Sequence, residues 1–224
     1  MTKLARKIVK FIASVALLWL SVMLAITGCR LCIPFRLSHG AIVFAAAFAG
    51  GVFLFRWRKF SPVYVFGHEM THWIVAKLFL KETGKFRVGM TKGSVEIADG
   101  NVWITLAPYI VPFYALLAVG VFGLSQVFLY PSPPWAALAF VVCAGLGYAY
   151  HCVLTVYAIG LSQSDLKVYG EFFSLSLIIA GNVLFLLLVL LFSNGQWRKA
   201  FDIFCGMSAW QWNIIGNLMG SLRR

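Results

Sequence analysis

The chain has 224 residues, of which 61% are hydrophobic and 12% charged, with 19 Lys and Arg against 7 Asp and Glu. This composition excludes an ordinary soluble domain and marks a membrane protein. The net charge of +12 would suggest nucleic acid in a soluble chain, but the basic residues cluster at the ends of apolar segments, as membrane anchors and topology signals do, so no nucleic-acid partner is expected.

Residues 1–10 carry Lys3, Arg6, Lys7 and Lys10, and residues 11–28 are apolar, the layout of a signal anchor or signal peptide. Ile26-Thr27-Gly28-Cys29 resembles a lipoprotein cleavage box, but Arg30 comes next, and an uncleaved first span is the reading adopted. Cys29 and Cys32 form a C-x-x-C beside this run. The five cysteines make no disulfide framework; that pair reads as juxtamembrane thiols, with a redox or metal pair as the alternative, and Cys143, Cys152 and Cys205 as packing residues. A loop with Pro34 leads to a second apolar run, residues 40–55, closed by Arg56, Arg58 and Lys59. It falls just short of a comfortable span, which leaves a tilted or re-entrant helix open.

Ser61 is expected to cap the next helix, with Pro62 at its first position and an end near Leu80. This helix carries His68-Glu69-Met70-Thr71-His72, an H-E-x-x-H pattern in a chain with four histidines. His68 and His72 stand one turn apart on one helix face and can reach one metal ion. Glu69 is displaced by about 100°, beside the metal rather than on it, where a general base belongs. Ionisable groups in a lipid-embedded segment cost free energy and usually mark function.

From Lys81 to Thr105 the pattern changes to alternation: Phe86, Val88 and Met90, then Val95 and Ile97, then Val102 and Ile104 beyond an Asp99-Gly100 hairpin turn. A small antiparallel β element of two or three strands is predicted, lying at the interface or lining a cavity, since open sheet edges are not tolerated in lipid. Residues 106–130 are apolar, with Pro108 and Pro112 near their start. Pro131-Ser132-Pro133-Pro134 connects to an apolar helix over 134–160 containing His151, and the polar loop Ser162-Gln163-Ser164-Asp165 precedes a last span at about 172–192. The tail 193–224 reads as interfacial helix. The fold expected is an all-α polytopic membrane protein of about six transmembrane helices, with a β hairpin or meander after the motif helix. Residues 1–60 form accessory spans, 61–192 a core and 193–224 an amphipathic tail.

Two histidines do not complete a catalytic zinc site, which takes three protein ligands and leaves one position for water. Asp165, His151, His39 and Glu171 are the scarce polar candidates. Asp165 is favoured because a carboxylate reduces the net charge of a zinc site in a low-dielectric setting. The competing reading makes Asp165 the N-cap of the final helix. His151 is the reserve ligand, an outer partner or a packing histidine.

The combination resembles the site-2 protease family of intramembrane zinc metalloproteases, particularly its small bacterial members without added domains. The resemblance covers about residues 61–190. It is carried by His68-Glu69-Met70-Thr71-His72 with Trp73-Ile74-Val75-Ala76-Lys77, by a β hairpin ending in Asn101-Val102-Trp103-Ile104, by Leu106-Ala107-Pro108-Tyr109 with Pro112, and by Gln163-Ser164-Asp165. It implies one zinc ion held by His68, His72 and Asp165, with Glu69 activating water to hydrolyse a peptide bond of a membrane-spanning substrate. It also implies that the substrate helix is unwound and held by the β element through strand addition. Asn101 then either bonds the exposed substrate backbone or simply succeeds the Asp-Gly turn. The family commonly carries its third ligand in a Leu-Asp-Gly sequence, whereas this chain reads Ser164-Asp165-Leu166, which keeps His151 in reserve.

The implied partners are membrane lipid, a transmembrane protein substrate and a regulatory membrane partner. The implied location is the bacterial inner membrane. Rival readings are a non-proteolytic zinc-binding scaffold or chaperone, for which Glu69 would be superfluous, and a metal transporter, which would spread ionisable residues over several helices. Counting Lys and Arg, an inside N-terminus puts eleven positive charges on the cytoplasmic side against seven opposite. That runs the motif helix outward, the reverse of the usual site-2 protease arrangement. A partial second span, a removed first span or an inverted branch would each reconcile the two.

Overall fold

The computed structural model describes residues 2–32, 39–58, 60–128, 131, 133–160 and 164–221; the Pro34 connection, Lys59, Ser132, residues 161–163 and the terminal Arg223-Arg224 pair lie outside them. Helices dominate, in the order α1 (Lys3–Cys32), α2 (His39–Trp57), α3 (Ser61–Leu78), α4 (Val102–Ile110), α5 (Phe113–Phe128), α6 (Pro134–Gly160), α7 (Ser164–Tyr169), α8 (Glu171–Asn194) and α9 (Trp197–Ser221). Strands β1 (Thr83–Val88) and β2 (Gly93–Ile97) come after α3. Among the described residues, four helices are long and apolar enough to cross a membrane: α1, α2, most of α6 and most of α8. Counting α4 and α5 as one bent crossing makes five. The expected six is not reached by this measure. The motif helix α3 falls outside it, since it carries His68, Glu69, His72 and Lys77 within 18 residues.

Contacts divide the chain into two compact units, residues 37–174 and residues 1–36 with 175–224. These units are drawn differently from a division at 60/61 and 192/193, because α2 belongs with α6. Small residues let the two backbones approach: a Cβ on Gly51 would fall 2.7 Å from Ala149 Cβ, and one on Gly145 3.0 Å from Ala47 Cβ. Such small-x-x-x-small pairing is the usual device for tight helix contact in lipid. In the other unit α9 is a single helix alongside α1, with Trp19 Nε1 donating to Gln211 Oε1 (2.9 Å). Leu31, Leu187, Leu191 and Ala200 form its apolar core.

Helix α3 begins one residue before the expectation. Phe60, not Ser61, occupies the N-cap in a left-handed conformation (φ 44°), with no side-chain cap bond and Pro62 in the first turn. Its carbonyl accepts from the N–H groups of Val63 and Tyr64 and from the Tyr150 hydroxyl (3.0 Å). These partners offset the roughly 1–2 kcal/mol that an L-residue loses in that region. At the other end Leu80 (φ 55°) closes the helix. Lys81 N–H bonds Ala76 O and Leu80 N–H bonds Lys77 O, a Schellman arrangement built without glycine.

The β element differs from its prediction in where it turns. β1 and β2 pair antiparallel, Val88 opposite Gly93 and Thr83 opposite Ile97, so the hairpin closes over residues 89–92. Asp99-Gly100 turns the chain into α4 instead, and Val102 and Ile104 are helical rather than a third strand. Asn101 decides this: its Oδ1 accepts from Ile104 N–H (3.0 Å), capping a run whose apolar residues continue at helical spacing. The apolar segment 106–130 is likewise broken. Pro112 offers no N–H and disfavours helix at Val111 (φ −93°, ψ 111°), and α5 leaves α4 at 76°.

Gly147 lets α6 cross α5, since a Cβ there would meet Ala115 N at 2.8 Å and Tyr114 C at 2.9 Å, backbone atoms that cannot rotate away. Gly147→Val should therefore destabilise the protein by about 1–3 kcal/mol. Gly120→Ala, where nothing lies within 4 Å, should be neutral or stabilising by up to about 1 kcal/mol. Unfolding in mild detergent measures both, and equal stability of the two variants would contradict the crossing.

Candidate metal centre

The turns of α3 that carry the motif are fixed from two sides. Gly67 faces Tyr114 of α5, whose ring a Cβ would approach to 2.8 Å, and the Tyr114 hydroxyl donates to Val63 O. Gly93 at the start of β2 faces the other flank, where a Cβ would lie 2.6 Å from Glu69 Cγ and 2.7 Å from Val65 Cγ1. Both close approaches need the missing side chain. Between them, α3 presents His68 and His72 to one point and buries Glu69 under the hairpin.

Asp165 reaches this point from α7. Buried Leu166 anchors the short helix, with its carbonyl accepting from Ser174 Oγ (2.9 Å), and Gly170 (φ 94°) turns the chain into α8. Asp165 thus sits in the first turn of a helix of its own and does not cap α8. Its side chain turns toward the histidines. His68 Nε2 and His72 Nε2 are 3.2 Å apart, and Asp165 Oδ2 is 3.5 Å from the first and 3.7 Å from the second. Among the described residues this trio is the one group of three His, Cys, Asp or Glu side chains close enough to hold a metal ion.

Each member has an outer partner. His72 Nδ1 donates to the Ile104 carbonyl (2.8 Å), His68 Nδ1 lies 3.3 Å from the Tyr64 hydroxyl, and the Tyr109 hydroxyl donates to Asp165 Oδ2 (3.0 Å). Because a carbonyl only accepts, the His72 contact puts the ring proton on Nδ1 and the lone pair on Nε2, facing His68 and Asp165. Burial pushes the Asp165 carboxyl up, but its close contacts with His68 and His72 outweigh it and hold the group well below the usual carboxylate range. Asp165 is therefore present as an anion.

The remaining sequence candidates are placed apart from the trio. His151 lines a small cleft beside His68 with Tyr64, Tyr109, Tyr114, Tyr150 and Thr155, and its ring packs against Tyr148 (6.0 Å). It brings no atom into the ligand group. Asn101 is the N-cap of α4, its Oδ1 taken by Ile104 N–H. His39 begins α2, and Glu171 begins α8. Three outer partners were not singled out from the sequence: Tyr64, Tyr109 and the Ile104 carbonyl. Tyr64 carried a signal, being i−4 to His68 as His68 is to His72.

Asp165→Ala should lower metal affinity by more than about a hundredfold and Tyr109→Phe by about tenfold, while His151→Ala retains the ion. Titration of the purified, chelator-stripped protein with zinc reads all three, and full retention by Asp165→Ala would remove it from the site. Compared with known proteins, the chain matches no protein-family model, no curated protein and no solved structure.

Proposed function

We propose that this protein is a zinc-dependent intramembrane endopeptidase, similar to the site-2 proteases, that hydrolyses peptide bonds of membrane-spanning substrates. The observation that carries the reading is the triangle of His68, His72 and Asp165, with edges of 3.2, 3.5 and 3.7 Å. Ligands at about 2.0–2.2 Å from a tetrahedral zinc stand about 3.3–3.6 Å from one another, so the donor set and its spacing fit that ion. Three ligands also leave a fourth position, as a catalytic rather than a structural site requires.

When bound, zinc would polarise the scissile carbonyl and lower the pKa of a coordinated water to about 7. The protein's own residues do the rest. Glu69 takes the proton from the attacking water and returns it to the leaving amine. Its position is set by Gly93, which lets β2 press on its side chain. A substrate helix must be unwound before water can attack, and the two-stranded sheet beside α3 has strand edges on which an unwound segment can pair. On this reading α3 and the bent α4–α5 pair belong to a core of about six membrane-inserted elements. The protein then works as a multi-pass protein of a bacterial inner membrane, with lipid, a single-span substrate and a regulatory membrane protein as partners.

The test is cleavage of a panel of single-span substrates in zinc-loaded proteoliposomes. Glu69→Gln should lose activity by about 10²–10⁴-fold while keeping its zinc, and chelation should abolish cleavage until zinc is restored. Undiminished cleavage by Glu69→Gln would remove the base from the mechanism. Zinc binding without cleavage of any substrate would favour a scaffold, and zinc flux across the vesicle a transporter.

A further inference from the structure

Pro108 stands four residues after Ile104 in α4, where any other residue would donate its N–H to the Ile104 carbonyl. Proline has no N–H, and its ring crowds the carbonyl four residues back and tilts it away from the helix axis. The Ile104 carbonyl, released from the helix ladder, receives the Nδ1–H of His72 at 2.8 Å. Ile104 and Pro108 are both buried, so water does not compete for this acceptor.

We infer that Pro108 is a positioning residue for the metal centre: it releases the Ile104 carbonyl so that His72 holds its proton on Nδ1 and presents the Nε2 lone pair to the ion. The surrounding contacts form one consistent chain of hydrogen bonds. The Tyr64 hydroxyl donates to His68 Nδ1 (3.3 Å), His68 Nε2–H donates to His72 Nε2 (3.2 Å), and His72 Nδ1–H donates to Ile104 O. Only the last link has no side-chain alternative, because it ends on a backbone acceptor. That acceptor is available because residue 108 is proline. An N–H at position 108 would draw the carbonyl back into the ladder and leave the His72 ring free to choose its other tautomer and to rotate. Ring orientation fixed by such an outer hydrogen bond is typically worth ten- to a hundredfold in metal affinity.

The inference rests on the metal-site reading of the proposed function, but its first test does not need the metal. The full chain, labelled with ¹⁵N-histidine in lipid nanodiscs and stripped of metal, has four histidine signals, that of His72 being identified by its loss in His72→Gln. At mildly alkaline pH, where an imidazole is neutral, wild-type His72 should be the Nδ1–H tautomer. Pro108→Ala should show a mixture with Nε2–H while His68 is unchanged. Alanine is the best helix former, so the variant should fold with α4 intact. Zinc titration of the same samples should give an affinity about tenfold or more lower for Pro108→Ala. An Nε2–H tautomer in the wild type overturns the inference whatever the variant does. So does a Pro108→Ala protein that keeps either the wild-type tautomer or the wild-type affinity. Failure of the wild type to bind zinc would strike the metal reading instead, and the tautomer would still decide the role of Pro108.

Discussion

Bringing an anionic carboxylate and two imidazoles to within 3.2–3.7 Å of one another inside an apolar protein is the constraint that the rest of this unit answers. Removing such groups from water costs several kcal/mol per ion, and the cost is recovered only where geometry and outer hydrogen bonds are good. All three groups have such partners: a backbone carbonyl for His72, and tyrosine hydroxyls for His68 and Asp165. Of the three partners the carbonyl is the stiffest. A tyrosine hydroxyl can rotate its hydrogen and either donate or accept, whereas a carbonyl on a capped helix dictates where the proton sits. The His72 face of α3 is thus oriented chiefly from α4, a short helix capped at one end by Asn101 and bent away at the other by Pro112.

Packing around the site reflects the same need. Neither flank of α3 beside the two histidines has room for another methyl group: Tyr114 fills the space at Gly67 and the side chains of Glu69 and Val65 fill the space at Gly93. Interiors this tight transmit displacement, because the alternative is a void or a clash. Residues at some remove from the ligands, Gly147 on α6 among them, therefore bear on the site by setting where α5 and its Tyr114 lie. Small residues that in a soluble helix would only weaken it are what permits the backbones to approach.

Much of this was legible in the sequence, and the misreadings between the hairpin and α4 share a cause. His68, Glu69 and His72 were readable because helical spacing alone puts them together. Asp165 was singled out by chemistry and scarcity, and the chain brings it to the histidines although nearly a hundred residues separate them. Apolar runs located α2, α6 and α8 to within a few residues, while α1 extends eight residues further toward the N-terminus than its apolar run. The errors fall where period two and period 3.6 overlap in a short stretch. Val102-Trp103-Ile104 alternates as a strand would, and only the capping of Asn101 and the apolar residues up to Tyr109 make it a helix. Asp99-Gly100 is a turn, as read, but a turn dipeptide does not specify whether a strand or a helix comes next. The hairpin instead closes through Gly89 N–H and Lys92 O, a pairing set by register and not by a conspicuous dipeptide.

The outer shell was the least legible part, for a physical reason. A hydrogen bond from a histidine to a backbone carbonyl leaves no mark in the residue types that form it, since every residue carries a carbonyl. Its trace lies four residues further on, in the absence of a donor. Two prolines within five residues, Pro108 and Pro112, look in the sequence like a single signal to break a helix. The structure separates them: Pro112 ends α4 and produces the 76° bend, while Pro108 stays inside the helix. A proline retained in a helix leaves one buried carbonyl without its ladder partner, and that carbonyl must find a donor elsewhere or cost free energy. A helix of nine residues buried on most of one face offers few donors, and His72 is the one that reaches Ile104. The demand of the carbonyl for a donor and that of the histidine for a fixed proton are therefore met by the same bond, which is how a helix defect can be kept in a site that needs rigidity.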